Sequence, residues 1–162
     1  MRALLAFGLA FGLATSAAAD SSRHFAVDPA LYVVDNYYPE RDPATDLQLA
    51  IQRAQVMDRR ILVVVGGSWC TWCFVLDAFL ARDAETHAAF ADSFLILKVN
   101  MSRANRNADF LSRFPESNGY PDFFILDSDG SYLGRQETGA LEDGRSYSRA
   151  RMIAFARQWR RT

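Results

Sequence analysis

The chain has 162 residues, half of them hydrophobic, and a formal net charge of −1. That composition is too apolar for a disordered chain and suits one domain with a core of its own. A near-neutral charge without a polybasic run argues against nucleic acid as a partner.

The N-terminus reads as a secretory leader. Arg2 precedes an apolar run, "ALLAFGLAFGLA", at residues 3–14, and "TSAAAD" follows. Ala17 and Ala19 satisfy the small-x-small rule for cleavage. A signal peptide of residues 1–19 and a single domain over 20–162 are expected. An uncleaved anchor is the alternative, but the apolar run is well short of the ~20 residues a spanning helix needs. No cysteine stands at the cleavage site to carry a lipid. The mature chain is expected to be soluble, in the periplasm or secreted.

Residues 31–38, "LYVVDNYY", predict a first strand. Asp42 is a cap and Pro43 a first helical residue. Leu47, Ala50, Ile51, Ala54 and Met57 then recur at helical spacing. "ILVVV" at 61–65 reads as a strand buried on both faces, broken by Gly66 and Gly67. A helix is predicted from Cys70, with Phe74, Leu76, Phe79 and Leu80 on its apolar side and Asp77 among the polar residues. A short helix over 83–93 and a buried strand over 94–101 follow. Residues 104–114 read as a helix ending before Pro115. Residues 122–127 and 131–137 flank "SDG" as an antiparallel hairpin. A last helix over 147–160 turns Met152, Ile153, Phe155, Ala156 and Trp159 inward. This alternation predicts an α/β fold: a mixed central sheet, helices on both faces, and a C-terminal hairpin plus helix.

Cys70 and Cys73 are the only cysteines. Thiols tend to pair in an oxidising compartment, yet closing so small a loop stabilises little. The spacing therefore points to chemistry. A sulfur at a helix N-terminus is stabilised as thiolate by unpaired N–H groups and the helix dipole. Cys70 is then the nucleophile, provided its sulfur is accessible. Cys73, one turn on, resolves the mixed disulfide. Structural zinc needs about four ligands, and only His24 and His87 could be added. Haem attachment needs His after the second Cys, where Phe74 stands. No cofactor and no metal are expected. His87 reads as a surface or capping residue.

"ILVVVGGSWCTWC" followed by "GYPDFFILDSDG" resembles the thioredoxin superfamily, over about residues 42–162. Within it, the chain is similar to secreted thioredoxin-like proteins and to the C-terminal domain of the electron carrier DsbD. The resemblance implies a thioredoxin fold and a thiol–disulfide oxidoreductase that reduces protein disulfides or relays electrons through Cys70 and Cys73. It implies that Pro121 is cis, with Tyr120 before it presenting backbone to a substrate strand. Thr71 and Trp72 between the cysteines would tune the redox potential. Trp69 and Trp72 would form an apolar lip, with Trp72 the more outward-facing. One departure stands out: the family's buried acid in the catalytic strand falls at Val64 here.

Too little chain separates Cys73 from Pro121 for the inserted helical domain of DsbA, and no dimerisation domain of the DsbC kind precedes the fold. A monomeric reductase or carrier is therefore expected. Its partners would be protein thiols and disulfides, with electrons from a membrane-borne thiol donor. The rival reading is a thioredoxin-fold binding module that recognises a partner through Trp72 and Tyr120 without redox turnover.

Overall fold

The structure, a computed structural model, describes residues 28–162. The proposed signal peptide and His24 lie outside the described residues. Strand β1 covers Tyr32–Val34, helix α1 Pro43–Met57 and strand β2 Arg60–Gly66. Helices α2 and α3 cover Thr71–Arg82 and Ala84–Ser93, and strand β3 covers Phe94–Asn100. A short helix α4, Ala108–Leu111, precedes strands β4, Asp122–Leu126, and β5, Tyr132–Glu137. The chain ends with strands β6, Glu142–Asp143, and β7, Ser146–Tyr147, and helix α5, Arg149–Gln158.

Five strands form one mixed sheet in the order β1-β3-β2-β4-β5. β1, β3 and β2 run parallel, and β4 and β5 run antiparallel to their neighbours. Strand β2 sits at the centre, and every residue from Ile61 to Gly66 is buried. Successive side chains point to opposite faces, so the aliphatic run supplies two cores. Leu62, Val64, Ile96, Phe123 and Ile125 face α2, α3 and α5. Ile61, Val63, Val65, Leu95, Leu97 and Phe124 face α1 and α4.

Caps set the helix boundaries. Asp42 accepts hydrogen bonds from the Ala44 and Thr45 amides, and Pro43 opens α1. Asp83 takes the Thr86 amide and starts α3 directly after α2. The predicted mixed sheet, its helices on both faces and the hairpin after Pro121 are all present.

Three boundaries differ from expectation. The first strand stops at Val34, because the chain then leaves the sheet. Helix 104–114 contracts to Ala108–Leu111. Residues 102–107 are held in a loop instead: the Asn100 side-chain amide donates to Asn105 O at 2.8 Å, and that of Asn105 to Pro39 O at 2.8 Å. Asn107 then takes a left-handed φ of 48°, which Asn tolerates better than most residues. The predicted last helix starts late, at Arg149, because a 3-10 turn over Thr138–Leu141 and the β6–β7 hairpin intervene.

Candidate active site

Strand β2 delivers the chain to a turn at residues 67–70, and α2 begins at Thr71. Cys70 is the N-cap of α2. Its amide donates to Gly67 O at 3.0 Å, and its Sγ accepts from the Cys73 amide at 3.1 Å. An N-cap acceptor is ordinarily Ser, Thr, Asp or Asn. Here a sulfur holds that place, at the positive end of the helix. No acidic residue occupies the first turn of α2 to compete for it.

The two sulfurs are joined in a disulfide with the Cα atoms 5.3 Å apart. Cys70 keeps 3 % of its surface and Cys73 1 %. The expectation that Cys70 lies open is corrected: the residue is buried in the oxidised form. Aliphatic and aromatic packing from both sides of the turn encloses the pair. Cys70 is still the outer of the two.

Both glycines before the pair answer to close approach. Gly66 belongs to β2, and a Cβ there would lie 2.5 Å from the Cys73 Sγ and 3.0 Å from the Tyr37 hydroxyl. A Cβ on Gly67 would meet the Trp69 indole and come within 3.0 Å of Met101 O. Glycine is the residue that leaves this room.

The Trp69 indole N–H donates to Met101 O at 2.7 Å, and its ring meets Tyr120 edge-on at 5.5 Å. Trp69 is 54 % exposed, and Phe74, on the first turn of α2, is 55 % exposed. Trp72 behaves oppositely. It is half-buried and packs edge-on against Tyr147 at 5.6 Å. The expected ranking of the two tryptophans is therefore reversed. Thr71 is the outward residue of the dipeptide, because Trp72 falls on the helix face covered by β7.

The Tyr120–Pro121 bond is cis. Pro121 is buried, its carbonyl accepts from the Thr138 hydroxyl, and Tyr120 packs against the same core as the cysteines. His87 stands apart: its Nε2 lies 3.0 Å from an Asp28 carboxylate oxygen and ties the start of the described chain to α3.

Behind Cys73 lies a polar cluster formed by residues distant in sequence. Val64 pairs in register with Lys98 of β3. The Lys98 ammonium is 2.7 Å from an Asp77 carboxylate oxygen and donates to Asp35 O at 2.6 Å. It also sits 5.4 Å from the ring centres of both Tyr32 and Tyr37, within cation–π range. Lys98 is the only lysine in the sequence, placed between the apolar residues Leu97 and Val99 of β3. That contrast was the available signal. Asp77 comes one helical turn after Cys73, so a carboxylate from α2 lies near the strand position where the family's acid is missing.

Burial pushes the Asp77 carboxyl above its ordinary value of 3.8, and Lys98 partly opposes the rise. The folded protein thus binds this proton more tightly than the unfolded chain. Stability from this group falls as pH rises from 3.8 through the raised value. Thermal unfolding of Asp77→Asn, followed across that window, is expected to lack this part of the slope. An unchanged slope would show that Asp77 is as well solvated folded as unfolded.

No curated protein matches the chain. Among solved structures, a disulphide isomerase from Xylella fastidiosa Temecula1 is 24 % identical with a TM-score of 0.64, over 77 % of this chain and 97 % of that one. The oxidised C-terminal domain of DsbD from Neisseria meningitidis is 17 % identical with a TM-score of 0.56, over 78 % of this chain and 100 % of that domain. A DsbH oxidoreductase is 17 % identical with a TM-score of 0.53, over 83 % of this chain and 92 % of that one. At these identities the likeness is one of fold. The family model described as thioredoxin-like matches residues 42–128, from the cap of α1 through the end of β4. The chain belongs to the thioredoxin-like family.

Proposed function

We propose that the protein is an exported thiol–disulfide oxidoreductase that reduces protein disulfides or relays electrons through Cys70 and Cys73. One observation carries this reading: the Cys70 sulfur caps α2 and is bonded to Cys73 a single turn away. In the dithiol form, the Cys70 thiolate attacks one sulfur of a substrate disulfide. The other substrate sulfur leaves as thiolate and takes a proton from water. Cys73 then loses its proton and attacks the Cys70 sulfur. The second substrate sulfur departs, and the internal disulfide is restored. Two electrons have passed from the dithiol to the substrate. A membrane-borne thiol donor returns them, because the compartment offers no thiol buffer.

Export is supported by the leader-like residues 1–19. Among the described residues, no helix is long and apolar enough to cross a membrane. A monomer that meets its substrates one at a time suits this role. The structural neighbours named a disulphide isomerase, DsbD and an oxidoreductase support the redox assignment.

Equilibration with a glutathione series tests the direction of flow. A potential near that of thioredoxin, about −270 mV, is the expected result, and one near that of DsbA, about −120 mV, would make the protein an oxidant. Trp69 supplies exposed apolar surface beside Tyr120, where a substrate chain would dock. Trp69→Ala is expected to raise KM for protein disulfides about tenfold, a loss of about 1.4 kcal/mol. Its rate with a small aromatic disulfide should stay unchanged. Equal losses on both substrates would assign Trp69 to the chemistry instead.

A further inference from the structure

The Tyr37 ring is buried to 5 % exposure, and its hydroxyl has no hydrogen-bond partner among the described residues. A buried hydroxyl without a partner is costly and uncommon. This one lies at the redox pair: the Cys73 Sγ and the Tyr37 hydroxyl both fall within 3.0 Å of the point where Gly66 would carry a Cβ. In the disulfide the neighbouring sulfur is a weak acceptor. Reduction converts it into a thiol and then a thiolate, which accepts strongly.

We propose that Tyr37 is a positioning residue for the resolving cysteine: once the disulfide opens, its hydroxyl donates a hydrogen bond to the Cys73 sulfur, which eases the ionisation of that thiol and aims it at Cys70. This rests on the redox reading above and adds to it a group that prepares the second half of the cycle. In that step, Cys73 gives up its proton to water. The Cys73 sulfur attacks Cys70, and the substrate sulfur leaves with the bonding electron pair. Tyr37 keeps its own proton throughout. Burial holds the phenol well above its ordinary value, and the charge of Asp77 adds to this. The groups facing it are Asp77 of α2, Lys98 of β3, Tyr32 of β1 and Tyr147 of β7. With the acid of the catalytic strand replaced by Val64, the Tyr37 hydroxyl is a polar group that stands beside the Cys73 sulfur.

The test is Tyr37→Phe, which removes one oxygen and keeps the ring. Reduced protein is mixed with Ellman's reagent, and release of the coloured thiolate is followed from pH 5 to 10. Attack by Cys70 gives the first equivalent and resolution by Cys73 the second. The first phase should be unchanged. The second should slow about tenfold near neutral pH, the equivalent of one pKa unit on Cys73, and the gap should close at high pH. A second phase with the unmutated rate and pH profile would overturn the proposal. Wild-type protein that releases only one equivalent would instead overturn the redox reading beneath it. Should the variant not fold, the wild-type protein supplies the answer by NMR. The ¹³Cζ resonance of Tyr37 should move on reduction and should not move in Cys73→Ala treated with the same reductant. A resonance indifferent to reduction would contradict the proposal.

Discussion

Cys73→Ala should convert the protein into a trap. Cys70 still caps α2 and still attacks, but the sulfur that would release the substrate is gone. Mixed disulfides with protein substrates should accumulate and survive electrophoresis without reductant. Steady-state reduction should fall by more than about a thousandfold, the scale on which removing a reacting nucleophile acts. Cys70→Ala should lose the same activity without trapping anything, because Cys73 is the deeper of the two and keeps only 1 % exposure. The contrast carries the assignment of roles. Trapping by Cys70→Ala and not by Cys73→Ala would reverse it. Full partner binding with neither cysteine present would favour a binding module over an enzyme.

Phe123→Ala is expected to cost about 3–5 kcal/mol of folding stability, as large aromatic truncations in cores do. Phe123 is fully buried on β4, directly beyond Pro121 and Asp122. Its ring lies 5.6 Å from that of Phe155 and 6.5 Å from that of Phe90, and Phe94 stacks on Phe155 at 5.5 Å. These four rings join the sheet to α3 and α5 beneath the redox pair. The void left by Phe123 cannot be refilled, because its neighbours are themselves fixed by the sheet and by one another. A loss of that size is a large share of the roughly 5–15 kcal/mol that keeps a domain folded. Val56→Asp is the control. Val56 is 88 % exposed on α1, and a surface change of that kind stays within about 0.5 kcal/mol. Urea unfolding of both variants measures the difference. A Phe123→Ala loss no larger than that of the control would mean the four rings do not form a packed unit.

The fold was legible wherever one physical signal dominated. "ILVVV" announced a central strand because burial on both faces leaves no polar position. Asp42 and Pro43 announced α1 because capping is local. The redox pair was legible from spacing and its place after the strand. The rest depended on contacts distant in sequence. The β6–β7 hairpin has two residues in each strand, around Gly144 at φ 60°, too short to show alternation. Missing it also hid Tyr147, and with it the reason Trp72 turns inward. The helix expected at 104–114 has the right periodicity, but side-chain amides hold its first half in a loop. Tyr37 looked like part of a strand, and Asp77 like the polar side of a helix. Their meaning arises only when the segment after β1 converges with α2 and β3 behind Cys73, with Lys98 at the register position of Val64.

The ionisation of the Cys70 thiol is measured by titration. Reduced protein is brought from acid to alkaline pH while thiolate absorbance is followed in the far ultraviolet, with Cys70→Ser and Cys73→Ala run beside it. The Cys70 thiol, seated at the start of α2, is expected to ionise at least one unit below the ordinary ~8.5 of free cysteine, and this early transition should disappear in Cys70→Ser. An early transition that survives in Cys70→Ser, or a Cys70 thiol that ionises only at or above the ordinary value, would contradict this expectation.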